Sequence, residues 1–145
     1  LVPLDFSEYS KAGLRYAITL AGMFNASITI QHVFESFSHP MIHMQSADSQ
    51  IVINTVSKSE AETTIKNAVS QIDPDFKRYN MVVTEGRSYR EIIKCVEDTE
   101  IDLVVMSTRG QGALESFFIG TTADKVIRKV NCPVLAVKEH ERDFI

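Results

Sequence analysis

The sequence has no tryptophan and only two cysteines, Cys95 and Cys132, with no C-x-x-C spacing. That excludes a disulfide framework and a cysteine-built zinc site, and it points to a reducing, cytoplasmic compartment. Both cysteines read as small buried apolar residues. No apolar run approaches the roughly 18 residues that a membrane span needs, and the visible N-terminus carries no signal-peptide pattern. Basic charge is also in deficit. Lys and Arg number 15 against 19 Asp and Glu, a formal net charge of -4, so no broad basic field would draw nucleic acid or an acidic membrane. Of the histidines, His39 and His43 lie four apart, but no helical period supports their segment and no third ligand is evident; a metal site made of side chains is not expected. His32 lies in a strand as a packing or hydrogen-bonding residue, and His140 belongs to the tail.

What is present is an ordinary globular composition, 44% hydrophobic and 23% charged, in a length of 145 residues that suits one domain. Leu1 to Leu4 reads as a short buried strand ending at Asp5. Ser7 is placed to cap a helix whose face is Leu14, Ala17, Ile18, Ala21 and Phe24, closed by Asn25. The β-branched run SITIQHVF, Ser27 to Phe34, predicts a second strand. From Glu35 to about Gln50 no period appears, and a long mobile loop is expected. Ala61, Ile65, Ala68, Val69 and Ile72 mark a second helix stopped by Pro74. Tyr79 to Thr84 is a third strand, and Ser88 to Glu91 has the pattern of a capping box before Ile92, Ile93 and Val96. IDLVVM, Ile101 to Met106, predicts a strand buried on both faces. Ala123, Val126, Ile127 and Val130 form a fourth helical face before the strand PVLAV, Pro133 to Val137. The charged stretch 139–145 reads as a tail or linker. The opening LVPL lies inside an apolar run without an initiator Met, which points to a processed chain or a piece of a longer one.

Strict β-α alternation predicts a parallel sheet with helices on both faces. Ligands in such sheets sit beyond the carboxyl ends of the strands, where strand order reverses. Attention therefore falls on Asp5, on Val33 to Glu35, on Glu85-Gly86 and on the stretch that follows the fourth strand, STRGQGALESFFIGTT, residues 107 to 122. Ser107, Gly110 and Gly112 let the backbone approach an anion closely. Gly120, Thr121 and Thr122 open a helix whose unpaired N–H groups and dipole favour negative charge. Arg109 adds a forked cation. On local chemistry alone a second reading stays open: Thr121 and Asp124 also form a capping box, and Gly110 and Gly112 also suit ordinary turns.

Two phosphate-binding templates fail. A P-loop needs a Gly-Lys pair, and none exists; the dinucleotide fingerprint G-x-G-x-x-G meets Glu115 where its last glycine belongs. A third pattern fits. The stretch resembles the G-x2-G-x9-G-[ST] motif of nucleotide-binding universal stress proteins. Gly110, nine residues, then Gly120-Thr121 match, while Ser107 replaces the first glycine and Arg109 stands where relatives often carry His. LVPLDFSEYS, IQHVFE, VTEGRSYREII, IDLVVMSTRG and ADKVIRKVNCPVLAVK resemble the family's other elements in order, so that one domain over residues 1–138 is expected.

The resemblance implies a doubly wound α/β domain with a five-stranded parallel sheet in the order 3-2-1-4-5. It implies ATP, ADP or AMP as ligand, with Mg²⁺ sharing the phosphate charge. Pro3, Leu4 and Asp5 would lie beside the adenosine, Val33 beside the adenine, and Met106 and Ser107 against the nucleoside. Arg109 and Gly110 would approach the phosphates, and Gly120, Thr121 and Thr122 would donate to them. The implied role is an adenine-nucleotide-responsive stress regulator without dedicated turnover, since no nucleophile or water-positioning group is evident; any ATP hydrolysis would be slow and incidental. Pairing through the last strand is implied, as a homodimer or between tandem domains. Two alternatives stand beside this: a nucleotide-free interaction module working through its dimer surface, and an adenine-nucleotide-using enzyme of a related α/β fold.

Overall fold

A computed structural model describes residues 1–34, 58–110 and 119–138. The loop expected at 35–50, with His39 and His43, and the tail 139–145, with His140, lie outside the described residues, as does Gly112. Strands and helices alternate: β1 Val2–Pro3, α1 Glu8–Phe24, β2 Ile28–Phe34, α2 Lys58–Ile72, β3 Tyr79–Glu85, α3 Ser88–Asp98, β4 Val104–Ser107, α4 Thr121–Lys129 and β5 Val134–Val137.

All strand pairs are parallel, but they do not make one five-stranded sheet. β1, β2 and β3 form one sheet in the order β1-β2-β3, and β4 pairs with β5 in a second. The expected 3-2-1-4-5 ladder is broken between its first and fourth strands. At the junction the Leu1 nitrogen donates to Leu103 O (2.8 Å), and Leu1 O accepts from Val105 N (2.9 Å). The next donor on that edge would be residue 3, and Pro3 has no N–H to give. β1 itself is two residues long. β1 and β4 nevertheless stay in contact, so the carboxyl ends of both sheets remain neighbours.

Burial follows the pleat. Val105 belongs to a core with Leu14, Ala17, Ile18 and Ala21 of α1 and Ile65, Ala68 and Val69 of α2. Its neighbours Val104 and Met106 belong to a second core with Ile92, Cys95 and Val96 of α3 and Ala123 and Val126 of α4. Successive residues of β4 thus face opposite helix layers, as a period of two requires, and β4 is buried throughout.

Several local signals are realised as read. Ser7 caps α1 by accepting from Ser10 N (3.2 Å), and Asn25 closes it in the left-handed region at φ 52. Others shift. The N-caps of α3 and α4 are Arg87 and Gly120, neither with a side-chain cap bond, so the boxes at Ser88–Glu91 and Thr121–Asp124 do not form. Each helix begins one residue earlier than its box needs. Asp124 instead accepts from Arg128 Nε (2.8 Å), one turn on. Phe24, expected on the buried face of α1, is 74% exposed beside Met23; the helical period runs one turn past the end of the buried stripe.

Candidate functional site

The turn after β1 fixes the first component. Asp5 Oδ1 accepts from Ser7 N (3.0 Å) and Ser7 Oγ (2.6 Å), which ties the carboxylate to the capped start of α1. Between them Phe6 sits at φ 66, a left-handed conformation that a non-glycine residue adopts at some cost. Its ring stacks on His32 at 4.3 Å, and the His32 ring meets Phe34 edge-on at 5.0 Å. His32 Nδ1 lies 2.7 Å from Leu4 O. Tertiary packing of this aromatic row holds the turn in its strained form, and with it the direction of Asp5.

The second component is the stretch leaving β4. A Cβ built on Gly110 would fall 2.5 Å from Asp5 Oδ2, far inside contact distance. Residue 110 therefore faces the carboxylate at position 5 directly, and only a hydrogen fits between them. Ser107 is buried, and its Oγ donates back to the carbonyl of Arg109. The hydroxyl of the serine that replaces the motif's first glycine is thus engaged in holding the turn.

The third component is the mouth of α4. Gly120 N donates to Thr108 O (2.7 Å), and a Cβ on Gly120 would press to 3.2 Å from the same oxygen. The first turn of α4 starts there without a side-chain cap, which leaves the amides of Thr121 and Thr122 without intrahelical partners. Thr121 is exposed and Thr122 half-buried. Positions 5, 108–110 and 120 are accordingly linked in a chain of direct contacts at one end of the sheets.

The remaining expected residues are placed less directly. Val33 lies in β2 opposite Thr84, half-buried, and Pro3 pairs with Gln31. Leu4 is 2% exposed in the α1–α2 core, and Met106 is 5% exposed in the α3–α4 core. Their side chains pack the walls beneath the site. Arg109 is half-buried. Among the described residues, no three His, Cys, Asp or Glu side chains gather as a metal site.

A model of the universal stress protein family matches residues 1–138. The chain belongs to the universal stress protein family. A universal stress protein of Methanocaldococcus jannaschii is 27% identical over 143 residues, covering 99% of this chain and 83% of that protein. The family's fold is equally evident in solved structures. The universal stress protein UspA from Lactobacillus plantarum superposes with a TM-score of 0.76 at 18% identity over 94% of each chain. A universal stress protein from Archaeoglobus fulgidus, solved in complex with dAMP, matches at a TM-score of 0.60 and 20% identity over 94% of each chain. One solved in complex with cAMP matches at 0.68 and 15%, covering 95% of this chain and 94% of that one. No helix among the described residues is long and apolar enough to cross a membrane.

Sequence reasoning passed over two residues that shape this end of a universal stress fold. Phe6 is one, since nothing in DFSE announces a left-handed aromatic. Gln31 is the other. It is 1% exposed inside β2, and its Nε2 donates to Glu91 O (3.1 Å) and Thr84 Oγ1 (3.4 Å), tying α3 to the sheet. A glutamine in the middle of the β-branched strand ITIQHVF was the available signal.

Proposed function

We propose that this universal stress protein binds an adenine nucleotide across the carboxyl ends of β1 and β4 and acts as a nucleotide-responsive regulator. The observation that carries the reading is the close approach of Gly110 to Asp5, which leaves no room for a side chain at position 110 and sets the backbone leaving β4 against the carboxylate beyond β1. The adenosine end lies with Pro3, Leu4, Asp5 and Val33, and the wall formed by Met106 and Ser107 closes it from β4. Arg109, Gly110, Gly120, Thr121 and Thr122 take the phosphates, with amides and the α4 dipole supplying positive potential. The dAMP and cAMP bound by family neighbours support adenine as the base. ATP is the preferred nucleotide in this reading, and Mg²⁺ offsets its charge, held by phosphate oxygens. A cytoplasmic homodimer or tandem pair through β5 completes it, since β5 ends the β4-β5 sheet and carries the half-exposed Leu135.

Thermal denaturation with and without ATP and Mg²⁺ tests the central claim. Ligand at about 100 times Kd should stabilise the fold by roughly 2.7 kcal/mol, and AMP and ADP titrated alongside rank the nucleotides. An unchanged melting temperature with all three would remove the reading.

One observation favours a second reading, a nucleotide-free interaction module: the serine at the first motif glycine. Ser107→Gly separates the two. Freed of the Oγ bond to Arg109, the loop should accept ATP about 3- to 10-fold more tightly, while strand entropy lowers stability by roughly 0.5–1 kcal/mol. Calorimetric titration reads the affinity. A gain shows that Ser107 restricts a functioning site; no binding in either protein favours the module.

A further inference from the structure

The first turns of α3 and α4 carry a feature that the nucleotide reading does not use. Tyr89 stands half-buried between the two helices with cations on several sides. Lys125 Nζ lies 4.5 Å from the centre of its ring, and the Arg90 guanidinium lies 5.8 Å from it. Arg90 Nε also donates to the phenol oxygen at 3.0 Å. These contacts hold the phenol below the usual tyrosine range: the Arg90 hydrogen bond leads, slight burial opposes it, and the charge of Arg90, a hydrogen bond from Arg87 and the charge of Lys125 follow.

Among the described residues, the carboxylates of α3 and α4 are turned elsewhere. Glu91 folds over Gly86, with Oε1 2.8 Å from where a Cβ on that glycine would stand. Asp124 is paired with Arg128 at 2.8 Å. Glu97 and Asp98 lie at the opposite end of α3. Two cations, Lys125 and Arg90, therefore sit against one aromatic ring, with Arg87 two residues before it at the start of α3, in a chain whose net charge is -4. Like charges so placed repel, and an anion seated among them relieves that cost. The donors suit a tetrahedral oxyanion: forked guanidinium groups at Arg87 and Arg90, a point charge at Lys125, and a phenol O–H.

We propose that Arg87, Tyr89, Arg90 and Lys125 form a binding site for a phosphate-class oxyanion on the α3–α4 face. The site lies at the same end of the sheets as the cradle, since α3 follows the carboxyl end of β3 and α4 follows Gly120. Its ligand is a free polyphosphate or the phosphate tail of a nucleotide. The inference does not depend on the cradle being occupied.

Inorganic tripolyphosphate is the probe, and the phenolate absorbance of Tyr89 is the readout, isolated from the other tyrosines by subtracting Tyr89→Phe. A bound anion disfavours phenolate, so the titration midpoint of Tyr89 should move upward as tripolyphosphate is added. Arg90→Gln and Lys125→Gln, both at exposed positions, should each weaken that response about 10-fold, and together roughly 100-fold. ATP competing where AMP does not assigns the site to a nucleotide tail, and no competition by either assigns it to a free oxyanion. The proposal is overturned if the midpoint stays put, if chloride at matched ionic strength reproduces the shift, or if the double variant responds like the parent.

Discussion

Gly110→Val should abolish ATP binding, with affinity lowered at least about 100-fold in a calorimetric titration. The Cβ alone would stand 2.5 Å from Asp5 Oδ2, and two further methyl groups would follow it into the cradle. Asp5 cannot move aside freely, because its other oxygen holds both the amide and the hydroxyl of Ser7 at the start of α1. Displacement would therefore loosen that start, at a cost of about 1–3 kcal/mol. A double-mutant cycle isolates the contact. Gly110→Ala and Asp5→Ala should be less damaging together than the sum of their separate effects on denaturant stability, with a coupling of roughly 0.5–3 kcal/mol. Strict additivity would mean that residues 5 and 110 do not meet. Coupling in stability with full retention of ATP affinity would instead leave the contact real and the cradle without its ligand.

That contact joins residues 105 positions apart, and the sequence announced it only through topology. The order of elements was legible because each strand reads as a β-branched or apolar run and each helix as an apolar stripe. Parallel pairing followed from alternation. The break between the two sheets was hidden, since it turns on a single missing N–H at Pro3 within a run that otherwise looks like any buried strand. The helix starts were misplaced by one residue because Ser88 and Thr121 satisfy the capping pattern, while the chain directions set by Gly86 and Gly120 begin the helices earlier. Glycine spacing identified Gly110 and Gly120. The stacking of Phe6 on His32 was not legible, because residues 26 positions apart meet only once β1 and β2 lie side by side. The burial of Leu4 and Met106 was legible from the apolar runs LVPL and IDLVVM, and each packs into one of the two cores.

The same geometry gives the cradle a polarity, and Gly120→Val is the substitution that exposes it. Gly120 has φ -60 and ψ 150, which any residue adopts, so valine brings no backbone strain. Its cost is contact: a Cβ 3.2 Å from Thr108 O and 4.0 Å from the Arg109 Cα, with branches that push the β4 exit away from the mouth of α4. Folding should survive with a loss on the order of 1 kcal/mol. ATP affinity should fall about 100-fold or more, because the amides of α4 no longer face the loop that shares the phosphates, while adenosine should bind as it does to the parent. Asp5→Ala should behave in the opposite sense, weakening adenosine and ATP alike and leaving tripolyphosphate untouched. Measured side by side, the two substitutions fix which end of the ligand each residue serves. If Gly120→Val weakened adenosine as much as ATP, the nucleoside rather than the phosphates would lie at α4, and the assignment of the two ends would have to be reversed.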